Sequence, residues 1–214
     1  MHTLKRIIMR NYMIALFFVA VLISGCKDNT NVSKTPPPEP VKKLTPAGPE
    51  FFDAAYNGQI VTVKAAVDSG VDINSLDAEK RTALMLAAFN GYINIVELLI
   101  ENKADVNKAD LNGRTALMFA ASGDNPETVK MLLENKAEVN AADSVENFTP
   151  LMYAAAEGRL KVVEILLDYG ADWKMVDVDS DTAKNFAAQN GHTKVVELID
   201  QHAKKQNPQA PPQE

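Results

Sequence analysis

Thr82-Ala83-Leu84-Met85-Leu86-Ala87-Ala88 returns twice with little change, as Thr115-Ala116-Leu117-Met118-Phe119-Ala120-Ala121 and as Thr149-Pro150-Leu151-Met152-Tyr153-Ala154-Ala155. Worn copies flank these three: Pro49-Glu50-Phe51-Phe52-Asp53-Ala54-Ala55 before them and Thr182-Ala183-Lys184-Asn185-Phe186-Ala187-Ala188 after them. Successive starts are 33, 33, 34 and 33 residues apart. A fixed period of this size belongs to stacked supersecondary units rather than to one globular core. The heptapeptide reads as a helix start. Thr is a good N-cap, and Ala or Pro fits the first helical position, whose N–H has no intrahelical partner in any case. The Ala-Ala pair is small enough for a neighbouring helix to come close. A Gly or polar turn follows, then an apolar stretch; in the second repeat this is Ile93 to Glu101, with Ile95, Val96, Leu98 and Leu99 at helical spacing. Each unit is expected to be helix, turn, helix, then a loop such as Lys103-Ala104-Asp105-Val106-Asn107-Lys108-Ala109-Asp110.

The heptapeptide, its period and the Ala104-Asp105-Val106-Asn107 loop together resemble the ankyrin repeat, whose signature is Thr-Pro-Leu-His-x-Ala at a period of about 33. The resemblance implies an all-α solenoid of five helix-turn-helix units, each followed by a β-hairpin loop. It covers 49–204, with repeats near 49–76, 77–109, 110–142, 143–176 and 177–204. The chain also departs from the pattern. The family's His, which is expected to tie neighbouring loops, is replaced by Met85, Met118, Met152 and Asn185. The Gly ending the second helix survives as Gly70 and Gly170 but becomes Lys103 and Lys136. A left-handed backbone costs a non-Gly residue on the order of 1 kcal/mol, so the turn is expected to shift onto Asn102 and Asn135. In the third repeat Asp124 stands in the inter-helix Gly column, and Gly123-Asp124-Asn125-Pro126-Glu127 is expected to turn early, cap with Asn125 and restart at Pro126.

The start of the chain reads as an address. Lys5, Arg6 and Arg10 form a basic region, and Tyr12 to Ile23 is an apolar run of 12 residues. A bilayer-spanning helix needs about 20 residues, so the run is short for a span and fits a secretory signal. It ends in Ile23-Ser24-Gly25-Cys26, which resembles the bacterial lipobox with Ile for Leu. That resemblance implies a signal over 1–25, cleavage between Gly25 and Cys26, and diacylglycerol on Cys26 with acylation (palmitate or similar) of the new N-terminus. More than one acyl chain makes a stable anchor. Cys26 is the only Cys, so no disulfide forms within the chain. The competing reading is an ordinary signal with an incidental Cys. Lys27, rather than Asp, follows Cys26; by the same resemblance this favours a periplasm-facing outer-membrane lipoprotein over the inner membrane or cell surface. From Lys27 to Gly48 the prolines 36, 37, 38, 40 and 46 make the stretch 26–48 a semi-rigid tether, with a reach of roughly 70 Å. The tail 205–214, with three prolines, is expected to be disordered.

The formal net charge is −6, and removal of 1–25 takes away Lys5, Arg6 and Arg10 but no acid, which makes it −9. An acidic surface argues against nucleic acid and against adhesion to anionic lipid. Catalytic chemistry finds little to use. His192 sits in a Gly-His turn common in the family, His202 lacks a Cys partner, and no phosphate-binding glycine loop is present. Asp177-Val178-Asp179-Ser180-Asp181 imitates the opening of a calcium loop. Thr182 then stands where Gly is needed and Ala188 where Glu is needed, so a solvated tip is expected and no metal or other cofactor. The Met85, Met118 and Met152 column could hold Cu(I) but fits core packing better, as does Trp173 in a column otherwise holding Val106 and Val139.

What remains is the binding face that the family resemblance implies, a concave surface of loop tips and first helices. Candidate tip residues are Ala78, Glu79, Arg81, Leu111, Asn112, Arg114, Val145, Glu146, Phe148, Val178, Asp179 and Asp181. Candidates on the first helices are Phe89, Asn90, Ala156, Glu157, Gln189 and Asn190. Aromatic residues and Arg are enriched at hot spots, which brings Phe89, Phe148, Arg81 and Arg114 forward. The fourth tip has one residue more than the others, and insertions in solenoids often lie on the binding face. The expected function is non-catalytic binding of a periplasmic or envelope protein by a monomeric, membrane-anchored solenoid. The alternative is a passive envelope-organising protein without a dedicated ligand.

Overall fold

The structure, a computed structural model, describes residues 44–206. The signal 1–25 with its cleavage site at Gly25 and Cys26, the tether as far as residue 43, and the tail from Asn207 lie outside the described residues.

Ten α-helices follow one another in five pairs among the described residues. The first helices are α1 Pro49–Tyr56, α3 Ala83–Phe89, α5 Ala116–Ser122, α7 Pro150–Ala156 and α9 Ala183–Gln189. The second helices are α2 Ile60–Ser69, α4 Ile93–Glu101, α6 Pro126–Glu134, α8 Leu160–Asp168 and α10 Thr193–Gln206. A helix of seven residues is not stable alone and needs tertiary packing. The heptapeptide provides it. Leu84, Leu117 and Leu151 are buried, and Ala87-Ala88, Ala120-Ala121 and Ala154-Ala155 lie flush with neighbouring first helices. Second helices close the other side with Ile95, Val96 and Leu99 and their equivalents Val129, Leu132, Val162, Val163, Leu166, Val195 and Ile199. Each first helix packs on the next first helix, and each second helix on the next second helix.

Met85 and Met152 close their own caps. The Thr82 hydroxyl accepts the Met85 N–H at 3.3 Å while Met85 Sδ accepts the Thr82 N–H at 3.4 Å, and Thr149 and Met152 repeat the arrangement. The ties between neighbouring loops come from another column. Asn74 accepts the Asp105 N–H and donates to the Lys103 carbonyl; Asn107 does the same to Glu138 and Lys136, and Asn140 to Asp172 and Gly170. Each Asn is a two-pronged clamp on the backbone of the following repeat.

The expectation of β-hairpin loops is overturned: there is no strand among the described residues. Antiparallel pairing is confined to single bridges, Ala109 with Thr115 and Val176 with Thr182. The reason lies in the tips. One backbone bond crosses the base of each, from the N–H of Asp77, Asp110, Asp143 and Asp177 to the carbonyl of Arg81, Arg114, Phe148 and Asp181. The next residue is the Thr that starts a helix, so no residue is left for a second rung. The rest of the tip closes on a side chain: Asp77 Oδ1 accepts the N–H of Glu79 and Arg81, and Asp110 Oδ1 those of Asn112 and Arg114.

Two turn expectations are also corrected. Lys103 and Lys136 carry the left-handed conformation themselves, at φ 71° and 69°, while Asn102 and Asn135 stay at φ −92° and −96°. The Asn amides donate back to Leu98 and Met131, which fixes them as right-handed last-turn residues and passes the reversal to the lysine. In the third repeat the turn is not early: Asp124 is left-handed at φ 59°, in the column that holds Gly58, Gly91, Gly158 and Gly191 elsewhere. Asn125 occupies the N-cap position before Pro126, but its side chain donates instead to the Ala88 and Phe89 carbonyls of the preceding repeat.

Candidate binding face

The tips and the first helices touch, and together they make one face. The Arg114 side chain shows how. Its Nε donates to Asp110 Oδ2 at 2.9 Å, which bends the guanidinium over the Phe119 ring at 4.7 Å from the centroid. Phe119 in turn meets Phe89 edge-on, with centroids 6.4 Å apart. In the fourth repeat Phe148 takes the arginine's place in the tip and packs against Tyr153 at 5.5 Å and Phe186 at 4.8 Å. The tip aspartate there, Asp143, accepts the Tyr153 hydroxyl at 2.8 Å. The half-burial of Tyr153 and its hydrogen bond to the Asp143 carboxylate, in that order, push the phenol well above the usual tyrosine value.

Phe119, Tyr153 and Phe186 are absent from the candidates named by sequence. They occupy the fifth position of the heptapeptide, where Leu86 stands in the second repeat. Every position around it is fixed by packing, so its drift from Leu to Phe, Tyr and Phe was the signal available. All three are partly exposed.

The named candidates divide by what they touch. Phe89 and Arg114 meet through Phe119, and Phe148 joins the Tyr153–Phe186 pair. Arg81 is held by Asp77 at 2.8 Å and Glu79 at 3.0 Å. Asp181 accepts from Gln189, a tip-to-helix contact in the fifth repeat. Glu146 and Asp179 are exposed at equivalent places on adjacent tips, and the Val178 N–H donates to the Glu146 carbonyl between them. The Asn112 carbonyl likewise accepts the Ser144 N–H. Asn90 lies apart from the aromatic row, its amide donating to the Tyr56 and Leu86 carbonyls; Asn190 similarly reaches the Ala156 carbonyl. Leu111, Val145 and Val178 are exposed apolar residues of three successive tips, at 56%, 56% and 61%.

At the first repeat the face opens into a cleft of about 600 Å³ between α1 and the second tip, lined by Phe52, Tyr56, Leu76, Leu86, Glu79 and Arg81 among others. Asp177 Oδ1 is occupied by the Asp179 and Asp181 N–H groups, and no group of three or more His, Cys, Asp or Glu able to hold a metal ion occurs among the described residues. Trp173 is partly buried against the core, with the Lys174 ammonium 5.1 Å from its ring. No helix among the described residues is long and apolar enough to cross a membrane.

The family model described as ankyrin repeats (3 copies) matches residues 51–143 and 141–210. The chain belongs to the ankyrin-repeat family. Comparison with curated proteins gives no match. As an ankyrin-repeat protein it carries a scaffold suited to protein–protein contact, in which the repeated residues build the stack and the unrepeated ones are free to meet a partner. The aromatic residues at the fifth motif position and the exposed apolar tip residues vary from repeat to repeat in this way, while Arg81 and Arg114 recur in the second and third tips alone.

Proposed function

We propose that this ankyrin-repeat protein is a non-catalytic binding module, anchored by lipid at Cys26 to the periplasmic side of a bacterial outer membrane, that holds another envelope protein against its tip-and-helix face. The observation that carries the reading is the aromatic row. Phe119, Tyr153 and Phe186 keep partly exposed rings, and in the repeats of Phe119 and Tyr153 every other motif position is buried. Arg114 is pinned over Phe119 by Asp110, so neither side chain loses much freedom when a partner arrives. Pre-ordering of this sort lowers the entropic cost of association. The basic, apolar and Ile-Ser-Gly-Cys segments at the start of the chain support the anchor, and the proline-rich stretch after them supports reach from the lipid surface. Masking, stabilising or neutralising the bound protein all fit this geometry.

Cross-linking and pull-down of the full chain test the binding half, with Arg81, Arg114 and Phe148 each changed to Ala. One stoichiometric partner lost in these variants is the expected result; no partner to lose would favour a passive envelope-organising role. Labelled palmitate tests the anchor: incorporation that disappears in Cys26→Ser supports it, and an unlabelled mature protein defeats it.

A further inference from the structure

The four tips differ in charge along the stack. In the second repeat Asp77 and Glu79 lie against Arg81, with Lys80 beside them, and in the third Asp110 is matched by Arg114. The fourth tip, 143–148, holds Asp143 and Glu146 and no cation. The fifth, 177–181, holds Asp177, Asp179 and Asp181 and no cation. Three of those five acids are engaged within the protein: Asp143 and Asp177 accept tip N–H groups, Asp143 also the Tyr153 hydroxyl, and Asp181 the Gln189 amide. Glu146 and Asp179 stand exposed in the same column of adjacent tips. Apolar surface runs beside them, with Val145 and Val178 on the edge and the Phe148–Phe186 pair behind. The far end of the face is different. Its acids Asp77 and Glu79 are both held by Arg81, with Lys80 exposed beside them, and the cleft there is floored by Phe52, Leu76 and Leu86.

An apolar strip bordered by carboxylates without a cation is complementary to Lys or Arg, whose aliphatic stems lie on apolar surface while their heads reach the acid. We infer that the partner presents an extended segment with two or more lysines or arginines beside aliphatic or aromatic residues, its basic end over the fourth and fifth tips and its apolar end toward the cleft at the first repeat. Neighbouring helices pack about 10 Å apart, so the second to fifth repeats span roughly 30 Å, about nine residues of extended chain. This inference rests on the binding-face reading and adds the chemistry and direction of what is bound.

The test selects a random phage-displayed peptide library on the immobilised full chain. The expected enrichment pairs Lys or Arg with apolar residues, and the binding weakens as salt is raised. The double variant Glu146→Gln/Asp179→Asn removes exposed carboxylates that bond to no side chain or backbone group among the described residues. It should weaken those peptides on the order of fivefold with an unchanged melting temperature. Enriched peptides that are acidic or uncharged but still depend on Phe148 would overturn the inference and leave the binding face standing. Absence of any enrichment would also overturn it, and the pull-down would then decide the reading beneath it. Displacement by spermine at concentrations equal to those of the peptides would overturn it too, by reducing the acidic end to unspecific cation attraction.

Discussion

The Tyr153 hydroxyl donates to Asp143 Oδ2 at 2.8 Å, in the place where the second and third repeats seat an arginine against the equivalent aspartate. The substitution is coupled. Phe148 has taken the arginine column, and the phenol, arriving from the neighbouring helix, supplies the missing donor. Leu86 and Phe119, in Tyr153's column, could not, and there the arginine remains.

Tyr153→Phe should therefore destabilise the protein by about 1 kcal/mol, the worth of a hydrogen bond to a charged group discounted for partial exposure. The wild type should also show an alkaline weakness that the variant lacks. Burial and Asp143 raise the folded-state tyrosine above its ordinary 10.0. The bond's contribution is full below that value. Above it the unfolded chain releases its proton first, and stability falls as pH climbs toward the folded-state value. Denaturant melts of both proteins across alkaline pH check this: parallel curves would show that the bond contributes nothing.

Lys103→Gly and Lys136→Gly should each stabilise by about 0.5 kcal/mol. Relief of the left-handed backbone is worth about 1 kcal/mol, and the greater freedom of Gly in the unfolded chain takes back about half. Thermal melts of the two variants and their combination are the measurement, and the effects should add because the sites lie in different repeats.

Asn107→Ala removes both prongs of one clamp, bonds of 3.0 and 2.9 Å to the next repeat. A cost of about 1–2 kcal/mol is expected. Repeat stability is a sum of unit and nearest-neighbour terms, so weakening one joint should also broaden the unfolding transition. Hydrogen exchange should show the two flanking blocks opening separately; a uniform loss of protection would contradict this.

Thr115 differs from its counterparts. Its hydroxyl is buried without a partner among the described residues, whereas the Thr82 and Thr149 hydroxyls cap their helices. Thr115→Val should be neutral or slightly stabilising, because it removes an unsatisfied polar atom of similar size. Thr82→Val and Thr149→Val should cost about 1 kcal/mol each through the lost cap. Equal losses in all three would mean that Thr115 caps in solution as the others do.

The architecture was legible because the heptapeptide states packing, capping and period at once; Thr82, Leu84 and Ala87-Ala88 each do in the structure what their types dictate. The tips were less legible. Aspartates 77, 110, 143 and 177 recur at 33, 33 and 34 residues, five or six ahead of each motif Thr, but reading them as the ring-closers of the loops requires knowing that the next helix begins at once and leaves no length for a ladder. The Lys103 reversal was misjudged from local preference alone. Asn102 is the easier residue to place left-handed, but its amide bond to Leu98 holds it in the helix. On the face, Phe148 and Arg114 were visible as aromatic and Arg in variable columns. Phe119, Tyr153 and Phe186 were hidden inside a motif that otherwise specifies the interior.

The asparagine clamps have a consequence for how such a chain can grow. Asn107 and Asn140 grip the backbone of the unit ahead in the same way, so one joint is interchangeable with the next. Excising 107–139 would join Val106 to Asn140 and leave an intact grip on Gly170 and Asp172. A molecule assembled with identical couplings can be shortened or duplicated by whole modules without re-cutting its interior, and the length of what it recognises would change in step.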